Sequence, residues 1–121
     1  DKSMDIETAR EYCLAKKGTT ESLPFDEYSL VIKVMDKMFA LIDLEGSNKI
    51  CLKCNPDYAI ELREEHTEIA PARYFNKKYW NQFPLDHGID DILIKKLIDH
   101  SYDEVLNKFT KKMRTEYDAL P

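Results

Sequence analysis

Glycine is scarce in this chain, at three residues, and none belongs to a glycine-rich loop of the kind that cradles phosphates. Cysteine is as sparse. Cys13, Cys51 and Cys54 are an odd set, which gives no disulfide framework and suits a reducing compartment. Long hydrophobic runs are missing too. The longest, Met38 to Ile42, is far short of the roughly 20 residues that a membrane-spanning helix needs. No charged-then-apolar leader opens the chain, so a cytoplasmic protein with no membrane role is expected. An excess of positive charge is also absent. Lys and Arg number 18 against 23 Asp and Glu, a net charge of -5, which opposes overall attraction to nucleic acid or anionic lipid. Nucleophile-elbow, zinc-protease and calcium-loop patterns do not occur, so no catalytic residues and no reaction class are assigned.

What remains is enough for a fold. The 121 residues fit one domain, and 43% hydrophobic with 34% charged residues is the balance of a chain that buries a core. The domain is expected over residues 4–114. Asp1, Lys2 and Ser3 read as an added or disordered start, and 115–121 as a C-terminal tail. Asp5 caps a first helix whose stripe is Ile6, Ala9, Cys13 and Leu14, with Gly18 as its stop. Alternation through Leu30, Ile32 and Val34 predicts a strand. Met35-Asp36 then turns into a second strand from Lys37 to Ile42, and Ile50 and Leu52 mark a third. Thr19 to Phe25 adds an edge strand ending near Pro24. Asn55-Pro56 opens a second helix, and a short strand runs from Tyr79 to Phe83. Ile89, Ile92, Leu93, Leu97 and Ile98 begin an apolar helical face that Val105, Leu106, Phe109 and Met113 continue. Ser101 with Glu104 has the form of a capping box, so two helices are expected to meet there. The fold class is α+β, an antiparallel meander packed against helices in the order α-β(3-4)-α-β(1-2)-α.

Few residues carry chemistry. Cys51-Leu52-Lys53-Cys54 has dithiol spacing, but zinc needs further ligands, and His66, His87 and His100 stand alone. The two cysteines fall on opposite faces of a strand end, so no metal and no cofactor are assigned. Asp99 and His100 are adjacent on a helix and point about 100° apart, which is poor geometry for a catalytic pair. The segment from Arg73 through Asn76, Lys77, Lys78, Tyr79 and Trp80 to Gln82 is more informative. It has three cations, four aromatics and no acid, a composition that suits base stacking with phosphate contact. It equally suits aromatics anchoring a loop while lysines stay solvated. Lys33, Lys37, Lys49 and Lys53 lie on the meander. Lys108, Lys111, Lys112 and Arg114 follow as a cationic tail that also complements a helix C-terminus.

An ordered set of these residues resembles the YjbR/MmcQ family. It comprises Tyr12-Cys13-Leu14 with Lys17-Gly18, Pro24-Phe25, Lys33-Val34 and Lys37-Met38-Phe39-Ala40. It continues with Leu52-Lys53-Cys54 and Pro56, Leu62-Arg63, Asn76-Lys77-Lys78 with Trp80, Leu85-Asp86, and Ile98-Asp99-His100-Ser101-Tyr102-Asp103. The resemblance implies an α+β fold likened to a double-wing DNA-binding domain, and DNA as a partner on that likeness of fold alone. It implies no cofactor and no catalytic residue. Lys37, Asn76, Lys77, Lys78 and Trp80 match its pattern. Asp36, where glycine is common, Cys51 and the acidic charge depart from it.

Three readings stay open, the least favoured being an enzyme of unnamed reaction class that rests only on the polar-aromatic segment around Trp80. One is a nucleic-acid-binding domain that uses Lys33, Lys37, Lys49, Lys53, Arg73, Asn76, Lys77 and Lys78, with Tyr79 or Trp80 stacking. Another is a protein- or small-ligand-binding module with a groove between the sheet and the last helix.

Overall fold

The computed structural model describes residues 4–121, and the expected leading segment 1–3 lies outside the described residues. Helix α1 (Ile6–Leu14) is capped by Asp5, whose carboxylate accepts from the Thr8 N–H. Four strands follow: β1 (Thr19–Ser22), β2 (Ser29–Val34), β3 (Lys37–Asp43) and β4 (Lys49–Lys53). Asn55 caps α2 (Pro56–Glu65), with proline at the first turn, where its missing N–H costs nothing. Then come β5 (Ala70–Pro71), β6 (Trp80–Pro84), α3 (Asp91–Leu106) and α4 (Lys111–Asp118).

All six strands form one antiparallel sheet in the order β1-β2-β3-β4-β6-β5. Period-two alternation divides its two faces. Leu30, Ile32, Val34, Ile42, Ile50, Leu52 and Phe83 join Ala9, Cys13, Ala59, Ile94, Leu97 and Ile98 in one core between sheet and helices. The other face, with Leu41, Cys51 and Gln82 aligned across three strands, carries no helix among the described residues.

The structure corrects several expectations. The edge strand ends at Ser22, before Pro24. No helix boundary falls at Ser101: α3 runs unbroken through it, and the chain breaks at 107–110 instead, where Thr110 caps α4. Ser101 is fully buried and faces the sheet, so it cannot serve as a cap. Ile92 is 68% exposed and Ile94 takes its place in the core. The stripe that meets the sheet is Ile94, Leu97, Ile98, Ser101, Tyr102 and Val105, whose three-and-four spacing puts residue 92 on the far side. The cationic residues Lys111, Lys112 and Arg114 belong to α4, which docks through buried Tyr117.

Candidate binding groove on the outer sheet face

The hairpin that sets the register has Met35 and Asp36 at φ 50° and 69°. Two left-handed residues make the mirror-image turn that matches strand twist, which is why glycine suits this position. One turn later β3 carries a bulge: Ile32 pairs with Ala40 and Lys33 with Met38, so Phe39 is the extra residue. Ser101 enters the ladder there. Its hydroxyl accepts from the Lys53 N–H at 2.9 Å and donates to the Phe39 carbonyl at 2.6 Å, bridging β3 and β4 beyond their last direct pair.

Three neighbours of Ser101 dock α3 onto other elements. Asp99 accepts from the Tyr12 hydroxyl at 2.8 Å and from Lys16 Nζ at 2.5 Å, tying α3 to α1. His100 Nε2 accepts from the Asn55 N–H at 3.1 Å, with its ring edge-on to Tyr58 at the start of α2. The Tyr102 hydroxyl donates to the Lys17 carbonyl at 2.5 Å and lies 2.7 Å from the Tyr117 hydroxyl. Asp99 and His100 thus have separate partners and do not pair with each other. This run of α3 is a set of staples, and no reactive cluster forms around it.

The segment that follows β5 is organised from within. Lys77 stays exposed but folds back over the loop, its ammonium donating to the carbonyls of Ala72 at 3.0 Å and Arg73 at 3.3 Å. The Asn76 carboxamide accepts from the Lys78 N–H, and Arg63 donates to the Lys77 carbonyl and to Asn81. Phase-matched aromatics close it, with Phe75 and Trp80 rings 5.5 Å apart. Asn76 and Lys77 are exposed, and their side chains bond back to the loop's own backbone. Arg73, Tyr74 and Lys78 are exposed, while Tyr79 is half-buried.

The remaining cations separate into two regions. Lys37, on the hairpin, and Lys53 lie toward one end of the sheet. Burial lowers the Lys53 ammonium pKa first, and repulsion from Lys108 adds to that. Lys33, half-buried, also sits toward the hairpin on β2. Lys49 and Arg73 line a groove on the uncovered face of the sheet.

That groove has a volume of about 780 Å³. Leu41, Cys51 and Gln82 form its floor, and Phe25 and Tyr28 from the β1–β2 loop make one wall. Arg73, Tyr74 and Phe75 make the other. Phe25, Tyr28 and Tyr74 are 64%, 45% and 81% exposed, unusual for large rings with no described partner covering them. The walls are held in place. The Tyr28 carbonyl accepts from the Leu44 N–H, Asp26 accepts from the Tyr28 and Ser29 N–H groups, and Gln82 accepts from the Arg73 N–H. These bonds lower the Asp26 pKa, the Tyr28 N–H contributing most, so it is a fixed anion.

The groove expected between the sheet and the last helix is filled instead. Ile94, Leu97 and Ile98 pack there, leaving a cavity of about 10 Å³ beside His100. The two C-x-x-C thiols part company, Cys51 into the groove floor and Cys54 into the core. Burial pushes both pKa values up to about 12. The groove was not legible in the sequence, because its walls come from two loops brought together only by sheet order. Exposed Phe25 and Tyr28 on either side of Asp26-Glu27 were the one signal available.

Comparison with known proteins gives a consistent relationship. A family model described as YjbR matches residues 14–104. The chain is 34% identical over 112 residues to the protein named "Uncharacterized protein YjbR" of Escherichia coli strain K12, covering 92% of this chain and 95% of that one. It is 28% identical over 113 residues to "Uncharacterized protein YbdF" of Escherichia coli O157:H7, covering 93% of each. The crystal structure of a Deinococcus radiodurans protein with a domain described as DUF419 superposes with a TM-score of 0.90. Its identity is 34%, over 100% of this chain and 92% of that one. A Pseudomonas syringae structure superposes at 0.72 with 25% identity, over 84% and 98%. Both solved structures share the α+β architecture.

Proposed function

This chain belongs to the YjbR family, and from that premise we propose that it is a binding module whose ligand sits in the groove on the outer sheet face. The observation that carries this reading is the pairing of a roughly 780 Å³ groove with three exposed aromatic rings on its walls. A concave site of this size that sets exposed rings beside placed polar groups is what organic ligands and peptide segments use. Exposed Tyr and Phe rings offer large rigid contact area at little cost in side-chain entropy.

Screening aromatic and heteroaromatic fragments by ligand-observed NMR tests the reading. Hits should weaken about tenfold, or 1.4 kcal/mol, in Tyr74→Ala and Phe25→Ala, and change little with salt. Fragments that bind wild type and both variants equally would place the site elsewhere.

A second reading is DNA binding, and one observation favours it. Lys53 lies close enough to Lys108 for the two ammonium groups to repel. Lys33 and Lys37 lie toward the same end of the sheet, where Lys53 pairs with Trp80, and Glu104 offsets part of the charge at Lys53. Anisotropy of labelled single- and double-stranded DNA at about 50 and 200 mM salt separates the readings. Phosphate contacts make affinity fall steeply with salt. DNA bound through this end should lose affinity on Lys53→Glu and keep it on Tyr74→Ala.

A further inference from the structure

The charges around the groove go beyond the statement that it binds something. Its lining carries three carboxylates, Asp26, Asp43 and Glu45, against two cations, Lys49 and Arg73. Two of the three carboxylates are fixed in place. Asp26 accepts from the Tyr28 N–H at 2.8 Å and the Ser29 N–H at 2.7 Å, and Asp43 accepts from the Glu45 N–H at 2.9 Å and from the Ser47 hydroxyl. Glu45 has no hydrogen-bond partner for its carboxylate among the described residues. Arg73 already lies over the Tyr74 ring at 5.5 Å. Phe25 and Tyr28 flank Asp26, so ring faces and a fixed anion stand on the same wall. Such rings attract cations through the negative faces of their π systems. The whole chain adds to this field with a net charge of -5.

We infer that the groove docks a basic peptide segment of a partner protein, with a Lys or Arg side chain set among Phe25, Tyr28, Asp26 and Glu45. This rests on the reading of the groove as the binding site. A volume of about 780 Å³ exceeds what a single side chain fills and suits several residues lying across the sheet. Anionic occupants meet three carboxylates, two of them held in place, and gain only two cations, one of them already stacked. That charge complementarity selects a basic segment over an acidic peptide or a nucleic acid.

Fluorescence anisotropy with three labelled decapeptides of equal length, rich in Lys/Arg, Glu/Asp or Gly/Ser, and with a labelled oligonucleotide, tests this on the full chain. The basic peptide should bind best, and its affinity should fall with salt. Glu45→Lys, at an exposed side chain without a partner, should weaken it at least fivefold, and Tyr74→Ala should weaken it as well. Lys49→Ala should do the opposite and tighten it about twofold, a change of sign that general misfolding would not produce.

Preference for the acidic peptide or the oligonucleotide would overturn the inference. So would failure of all three peptides to bind. If the peptides bind alike, with loss in Tyr74→Ala and none in Glu45→Lys, the groove reading survives and the basic partner does not. If Tyr74→Ala is also silent, both fail.

Discussion

At the level of single residues, α3 shows how one short run can hold a fold together. Ser101 is fully buried, and its hydroxyl serves both the Phe39 carbonyl and the Lys53 N–H. Replacing it with alanine leaves both backbone groups unsatisfied in a dry interior, at a cost of about 2–3 kcal/mol. Urea denaturation should show that as a lower midpoint with an unchanged slope. Sequence reading could see that Asp99, His100, Ser101 and Tyr102 belong together. It could not see that each has a different element for a partner, because Tyr12, Asn55, Phe39 and Lys17 are remote in the chain. The cysteines point the same way. Burial raises the thiol pKa of Cys13, Cys51 and Cys54 from an ordinary 9.0 to about 12. Raised native values mean that the unfolded chain loses these protons first. The thiols' contribution is therefore intact below pH 9 and is lost as pH climbs toward 12. Stability measured by urea titration should fall above pH 9, and the thiols should resist alkylation at pH 8 until the protein unfolds.

At the level of elements, the local rules worked where local chemistry decides. Asp5 and Asn55 cap α1 and α2 as expected, and the β2–β3 hairpin forms where alternation placed it. The hairpin turn carries a testable cost. Asp36 sits at φ 69°, a left-handed conformation that disfavours a side chain by roughly 1 kcal/mol. Asp36→Gly should stabilise the protein by about 0.5–1 kcal/mol, read as a rise of a few degrees in Tm. The 72–79 loop gives a second prediction. Lys77 closes it by donating to Ala72 and Arg73 carbonyls, so Lys77→Met should speed amide exchange through the loop and cost about 1 kcal/mol. Charge reversal at Lys77 would therefore disturb the loop itself, and any change in binding could not be credited to a lost phosphate contact. The end of the chain reads as a tail in sequence because α4 is highly polar, with Tyr117 its one buried residue. Its anchor is Tyr117, which is buried, shares a hydrogen bond with Tyr102 and packs edge-on against Phe109. Tyr117→Ala should destabilise by about 3 kcal/mol, since it empties a packed site and removes that bond.

For the whole molecule, the sheet's two faces have different fates. One is covered by helices and closes the core, which hydrophobic periodicity makes legible from Leu30 to Leu52. The other stays open, and its groove depends on where the loops after β1 and β5 come to rest. Composition along the chain carries no record of that meeting. Cations that look like one set in sequence are divided by the fold: Lys77 bonds back to its own loop, Lys49 and Arg73 reach the groove, and Lys37 and Lys53 lie toward the hairpin end. None of the helices among the described residues is long and apolar enough to cross a membrane. The claim that the outer-face groove is where this family member meets its ligand is tested most directly by two-dimensional ¹⁵N–¹H NMR of the full chain during titration with any validated binder. Amide shifts concentrated at Leu41, Cys51, Tyr74 and Gln82 are the predicted result. Shifts concentrated at Lys33, Lys37, Lys53 and Lys78, with the groove floor silent, would contradict it.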